Sequence, residues 1–228
     1  MKSKTPAAGS KRYPMPFTRL EVAVLTLRGG ALHVLLARRA EEPQKDKWAL
    51  PGGVLRTDLD NSLDAAALRV AKERLGVELP FLRQICAVGG PGRYSERAQW
   101  ALSVVYRALV PEGALVVIPG KRVKELTWRP ADDAALDRKL AFDHSSLIAR
   151  AIESTRAEVE RLDLPVGFVP EKFTLGELQA MCEQLLGRKL DKSSFRRRLA
   201  DRETVEPVVG EMKTGANRPA QVFRLNAS

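Results

Sequence analysis

Cysteine is nearly absent from this chain: Cys86 and Cys182 are the only two in 228 residues, and they lie far apart. A disulfide framework is therefore not expected, and the composition suits a reducing cytoplasm. Also missing is any apolar run approaching the roughly 20 residues that a membrane span requires. The N-terminus has lysines and a Pro-Ala-Ala-Gly stretch but no apolar core of a secretory signal, so export is not expected. Internal repeats and long low-complexity tracts are lacking too. Acidic residues are absent from Met1 to Leu20, where Lys2, Lys4, Lys11, Arg12 and Arg19 stand unopposed.

What is present is enough apolar material for a proper core, 44% of residues, in a length suited to one medium domain and a small one. The net charge is +10 and the isoelectric point near 9.9, which points to a polyanionic partner. The charge is unevenly placed. Besides the basic N-terminal stretch, Gly187 to Arg202 holds seven basic residues and two acids.

The pattern from Leu20 to Leu27 is apolar and β-branched, and His33 to Ala37 follows a Gly29-Gly30 turn, which reads as a β-hairpin. Trp48 to Leu50 leads into the Pro51-Gly52-Gly53 turn. Ser62 to Leu75 reads as a helix stopped by Gly76, with Leu63, Ala67, Val70 and Arg74 on one face. Ala101 to Val110 and Val123 to Trp128 are further strand candidates. Leu147, Ile148, Ala151, Ile152, Val159 and Leu162 recur at helical spacing from His144 to about Leu162. Leu164-Pro165 and the Gly-Pro-containing segment through Pro170 mark the candidate linker.

Beyond the linker, Thr174 and Glu177 form a capping box, followed by an apolar stripe of Leu175, Leu178, Met181, Cys182 and Leu185. After a short turn, Asp191 caps a second helix anchored by Phe195 and Leu199. Lys192, Ser193, Arg196 and Arg197 then face away from the core. Val205 to Val209 and Ala220 to Leu225 read as two strands joined by a basic loop. Helix, turn, helix and hairpin is the order of a winged helix-turn-helix, whose second helix can hold phosphates and read bases in a major groove. The candidate DNA contacts are Thr174, Lys192, Ser193, Ser194, Arg196, Arg197, Arg198, Lys213 and Arg218. The N-terminal arm could add a minor-groove or phosphate contact.

The segment LPGGVLRTDLDNSLDAAALRVAKERLGV, Leu50 to Val77, resembles the Nudix box. Aligned on Gly76 and Ser62-Leu63, the acid positions of that box fall on Asn61, Val70, Glu73 and Arg74, and only Glu73 is acidic. Positions 70, 73 and 74 share one helix face. Carboxylates there would collect Mg²⁺, which prefers oxygen ligands and would activate water against a diphosphate. Val70 supplies no ligand and Arg74 brings a fixed positive charge. Asp58 and Asp60, in a loop two residues longer than usual, could replace at most one lost ligand. Glu73 is expected to pair with Arg69. Neither a catalytic residue, a metal ligand nor a cofactor is therefore assigned.

The two halves together resemble the Nudix-related transcriptional regulators of NAD metabolism (NrtR). The matching stretches are KWALPGG (Lys47–Gly53), GGPGR (Gly89–Arg93), LAFDHSSL (Leu140–Leu147), FTLGELQ (Phe173–Gln179), GRKLDKSSFRRRL (Gly187–Leu199) and NRPAQVFRL (Asn217–Leu225). The resemblance implies an α/β fold: a Nudix-like α/β/α sandwich over 17–164, preceded by a basic arm (1–16) and followed by a winged helix-turn-helix over 165–228. It further implies a homodimeric repressor on a palindromic double-stranded operator, released by ADP-ribose or a related nucleotide. The expected ligand-binding residues are Arg19, Arg38, Arg39, Trp48, Gly52 and Gly53, with the arginines suited to bidentate contact with a diphosphate. Two alternatives stand beside this: an active Nudix hydrolase using Glu73 with Asp58 or Asp60, and a regulator of the same build sensing another sugar nucleotide or a sugar phosphate.

Overall fold

The computed structural model describes residues 15–79, 81–94, 100–164, 167–214 and 219–226. Most of the basic N-terminal arm and the wing residue Arg218 lie outside the described residues.

The first strand, β1 (Phe17–Arg28), is the spine of the larger domain. Its alternation sends Leu20, Val22 and Val24 to one face of the sheet and Ala23 and Leu25 to the other, all fully buried. Its C-terminal end folds back on β2 (Ala31–Arg39) through Gly29 and Gly30. Both glycines have positive φ, 54° and 81°, the backbone that a tight hairpin turn demands. After β3 (Trp48–Ala49), the short β4 (Gly52–Val54) pairs with the N-terminal end of β1, Arg19 opposite Val54 and Glu21 opposite Gly52. β5 (Arg83–Pro91), β6 (Trp100–Leu109) and β7 (Val123–Pro130) complete a mixed sheet ordered β3-β2-β1-β6-β5, with β7 also along β2. β6 runs parallel to β1 along most of its length.

Helix α1 (Leu63–Leu75) covers one face of this sheet. The Ser62 side chain accepts from the Ala65 amide, and Gly76 closes the helix in the left-handed region at φ 68°. Ala66, Ala67, Val70, Ala71 and Leu75 pack on Leu20, Val22, Val24 and Tyr106. Leu63, assigned from spacing to the same apolar face, turns outward instead, because the helix meets the sheet through its small residues. The other face carries α2 (Ala131–Leu136) and α3 (His144–Glu160). The expected α3 stripe is buried throughout, from Leu147 to Leu162. The result is the α/β/α sandwich.

Several elements of this domain went unread in the sequence, β4 among them, which was read as part of the Pro51-Gly52-Gly53 turn. β5 is half-exposed and Gly-bearing, without a buried alternation, and α2 is a six-residue helix with no side-chain cap. Among the described residues no helix is long and apolar enough to cross a membrane.

The second unit begins at β8 (Phe173–Thr174), a third strand of the wing that the sequence did not signal. α4 (Leu175–Leu186) starts at the capping box, where Thr174 and Glu177 satisfy each other's backbone amides. α5 (Lys192–Asp201) starts at Asp191, whose carboxylate accepts from the Ser194 amide at 2.8 Å. β9 (Val205–Lys213) and β10 (Ala220–Leu225) form the wing, ordered β8-β10-β9. Phe195, Leu199, Leu178, Cys182 and Leu185 belong to one apolar cluster with Ile152 and Val159 of α3. Burial pushes the Cys182 thiol up to about 12, so this cysteine acts as a small core side chain. Polar ties run along the same seam. Arg156 donates to the Leu185 carbonyl at 3.3 Å, Arg188 pairs with Glu160, and Arg198 donates to the Glu160 carbonyl.

Candidate functional site

A cleft opens where the ends of β1, β2 and β4 meet. It is lined by Arg19, Arg38, Arg39, Gly52, Arg74, Tyr94 and Arg122, with the exposed acids Glu41 and Glu42. Four of the six residues expected from the sequence line it: Arg19, Arg38, Arg39 and Gly52. Trp48 does not. It pairs with Arg38 across β2 and β3, packs against the core, and its carbonyl accepts from the Ala141 amide at 2.8 Å. Gly53 lies beneath the cleft, where a Cβ would sit 2.7 Å from Val70. At Gly52 a Cβ would fall 1.7 Å from Glu21 Oε2, so only glycine permits this approach of β4 to β1.

Arg19 is almost fully buried. Its Nε donates to Glu21 Oε1 at 2.8 Å, its Nη1 donates to the Tyr94 hydroxyl at 3.2 Å, and its guanidinium lies 4.6 Å from the Tyr94 ring centre. Burial opposes the charge, yet Glu21 and Tyr94 outweigh it and raise the Arg19 pKa above its ordinary value. Tyr94 stacks on Phe142 at 5.0 Å, and Phe142 meets His144 at 5.4 Å. Arg39 sits over the Phe142 ring at 5.0 Å, a cation–π contact on the opposite strand. Phe142 holds φ at 55°, a costly conformation for an aromatic residue that the packing around it enforces. Guanidinium groups beside flat aromatic faces suit an anionic group joined to a ring system. Sequence reasoning missed Tyr94, Arg74 and Arg122 as cleft residues, and Phe142 as the ring packed against Tyr94 and Arg39. Phe142 lies within the LAFDHSSL motif, which was its one available signal.

The face that carries metal ligands in an intact Nudix box is otherwise committed here. Val70 is fully buried, and Asn61 is exposed. Asp60 accepts from Arg69 Nε and Nη2, both at 2.7 Å, and from the Arg56 amide at 2.8 Å. The Arg69 hydrogen bonds, ahead of the opposing effect of burial, hold the Asp60 carboxyl below the usual carboxylate range. Asp58 pairs with Arg56 at 2.7 Å, and Glu73 lies 3.4 Å from Arg69, the pairing expected from the sequence. Arg74 donates from Nε to the Gly52 carbonyl at 2.8 Å and from Nη1 to the Lys121 carbonyl at 2.7 Å. Among the described residues, no group of three or more His, Cys, Asp or Glu side chains is placed to hold a metal ion.

On the smaller unit, Lys192, Ser193, Arg196 and Arg197 are exposed on α5, and Ser194 is half-buried. The other candidates are differently employed. The Thr174 hydroxyl caps α4, Lys213 pairs with Glu177 at 2.5 Å, and Arg198 is turned to the end of α3. Arg218 lies outside the described residues. Among the described residues of this unit, free positive charge thus gathers on the outer face of α5.

Comparison with known proteins adds to this geometry. The NUDIX domain family matches residues 17–151, and the NrtR DNA-binding winged helix domain matches residues 165–225. The ADPR responsive transcriptional repressor NtrR of Acinetobacter baylyi is 34% identical over 213 residues, 93% of this chain and 83% of its own. The crystal structure of Shewanella oneidensis NrtR complexed with a 27mer DNA superposes with a TM-score of 0.74 at 33% identity, covering 92% of this chain and 93% of that one. The NUDIX domain of the same Shewanella protein, complexed with ADP ribose, aligns with a TM-score of 0.56 at 32% identity over 62% of this chain and 90% of its own.

Proposed function

Since this chain belongs to the NrtR family of Nudix-related transcriptional regulators, we propose that it is an ADP-ribose-responsive repressor of genes of NAD biosynthesis or related metabolism. In this reading a cytoplasmic homodimer holds a palindromic operator, and ADP-ribose or a related nucleotide releases it. The observation that carries the reading is the pairing of a cationic, aromatic-lined cleft in one domain with a free basic helix face in the other.

The working division is an arm (1–16), an effector-binding domain (17–164) and a DNA-binding domain (165–228). Arg19, Arg38, Arg39 and Gly52 would contact effector, with Trp48 and Gly53 supporting the cleft from behind. Lys192, Ser193, Ser194, Arg196 and Arg197 would contact the operator, together with Arg218 of the wing. Thr174, Arg198 and Lys213 would act by positioning α4, α5 and the wing. A sensor must keep its ligand intact, and the committed carboxylates of Asp58, Asp60 and Glu73, on α1 and the loop before it, support that role over hydrolysis.

Helix α3 offers the route between the two sites. Its first residue, His144, lies behind the aromatic wall of the cleft, and the carbonyl of its last, Glu160, accepts from Arg198 of α5. Effector binding that shifts α3 would move α5 with it, and a differential affinity of about 1–3 kcal/mol is the usual scale of such coupling. A mobility shift on promoters of NAD-synthesis genes, at fixed salt, tests the reading. A specific complex dissolved by ADP-ribose is expected. A complex indifferent to ADP-ribose would remove the effector from the reading, and Mg²⁺-dependent hydrolysis of ADP-ribose without specific DNA binding would favour the enzyme.

A further inference from the structure

The Nudix fold implies divalent metal at the α1 face, and the residues present do not suit it. Magnesium bound beside a diphosphate needs carboxylate oxygens free to coordinate. Here Asp60 spends both oxygens on Arg69, Glu73 leans on the same guanidinium, and Val70 is sealed in the core. Arg74, the last residue but one of α1, brings a guanidinium to the cleft instead.

We infer that this cleft takes the diphosphate of its effector without a divalent cation, Arg74 supplying the positive charge that metal supplies in a hydrolase. The inference rests on the effector-site reading above and names the chemistry of that same site. Two backbone carbonyls, of Gly52 and Lys121, fix the Arg74 Nε and Nη1. Its Nη2 makes no hydrogen bond among the described residues. Burial lowers the Arg74 pKa; the attraction of Glu73 opposes this, and smaller repulsions from Arg122, Arg19 and Arg69 add to the lowering. Mutual repulsion of this kind costs stability in the empty cleft and is relieved when a dianion enters. The exposed Glu41, which faces Arg122 at 3.0 Å, forms only a weak surface pair that a diphosphate could displace. A guanidinium also offers paired donors in a fixed fork that match phosphate oxygens. It positions a diphosphate but activates no water, so the same substitution that keeps the ligand also keeps it intact.

Isothermal titration of the full-length protein with ADP-ribose, once in excess EDTA and once in excess MgCl₂, tests this directly. Dissociation constants that agree within about twofold are expected, since no metal participates. The Arg74→Gln variant, with its fold checked by thermal unfolding, should bind about tenfold or more weakly in both buffers. Binding that disappears in EDTA and returns with MgCl₂ would overturn the inference, and so would an Arg74→Gln variant that binds as tightly as the parent. Should ADP-ribose not bind in either buffer, inorganic pyrophosphate is the second probe. EDTA-resistant binding of pyrophosphate that is lost in Arg74→Gln would retain the metal-free cradle and discard ADP-ribose as effector. No binding of pyrophosphate would discard the cradle.

Discussion

The amide of Leu50 donates to Nδ1 of His144 at 2.8 Å, across 94 residues of sequence. Leu50 belongs to the turn that forms one wall of the cleft, and His144 is the first residue of α3. The turn that would feel a ligand is thus fastened to the helix that reaches the DNA-binding unit. Accepting at Nδ1 leaves the imidazole proton on Nε2, which lies 3.9 Å from the buried Glu21 Oε2.

His144 gives the fold a pH dependence of defined sign. Burial, only partly offset by Glu21 and Asp143 and reinforced by Arg19 and Arg39, pushes its pKa down to about 4. In the unfolded chain it titrates near ~6.5, so the unfolded state takes up its proton first as pH falls. The stability contributed by neutral His144 is complete above about pH 6.5 and is lost progressively towards pH 4, by at most ~3 kcal/mol. Urea midpoints near about pH 7.5 and about 5.5 should fall further in the parent than in His144→Gln, which cannot titrate. Parallel losses in both proteins would refute the assignment.

Arg196 and Arg198 should separate cleanly in DNA binding. Arg196 is exposed on the outer face of α5, whereas Arg198 is spent on the Glu160 carbonyl. Arg196→Ala is expected to weaken operator binding by about 1–3 kcal/mol and to flatten its salt dependence. Arg198→Ala should leave the salt slope near that of the parent and reduce the response to ADP-ribose. Fluorescence anisotropy over a salt series with labelled operator reads both, and equal salt slopes for the two variants would contradict the division.

Arg107 and Glu158 form a buried pair at 2.6 Å between β6 and α3, and Arg107 also donates to the Thr155 hydroxyl at 3.1 Å. Removing Arg107 leaves the buried Glu158 with only the exposed Arg83, at 3.1 Å, so the loss should approach but stay below the roughly 3–5 kcal/mol of a buried charge left without a partner. Arg107→Ala should therefore be severely destabilised, while the double variant Arg107→Met with Glu158→Leu should recover much of that loss. Chemical denaturation of all three chains decides it. A single variant as stable as the parent would show that the pair is not dehydrated.

Thr174 was expected at the DNA surface, and its hydroxyl is found closing the capping box of α4. Thr174→Ala should cost roughly 1 kcal/mol of stability. Its effect on operator affinity at low temperature, where the protein remains folded, should be small beside that of Arg196→Ala. A loss of affinity without a loss of stability would return Thr174 to the interface.

Much of this molecule was legible from local pattern. Thr174 and Asp191 each cap a helix as read, and the helix read from Ser62 begins with Ser62 as its cap, because a cap depends only on a side chain and an amide three residues onward. The turn at Gly29-Gly30 and the stop at Gly76 follow from backbone conformations that glycine adopts at little cost. The missing acids at Asn61, Val70 and Arg74 were visible in the same way, as identities at fixed spacing.

Only the tertiary structure decided which charges are free. Helical spacing turns Arg197 outward, but nothing in the sequence shows that Arg198 meets a carbonyl 38 positions away. Nor could it show that Asp60 belongs to Arg69, that Trp48 serves the core, or that Tyr94 and Phe142 meet in one wall. Caps and periodicities arise from neighbours along the chain, whereas the employment of a charged or aromatic side chain depends on partners that only chain closure brings near. The sequence by itself determined the two domains and the non-acidic identities of Asn61, Val70 and Arg74. Folding determined that Arg74 stands in the cleft among Arg19, Arg39 and Arg122.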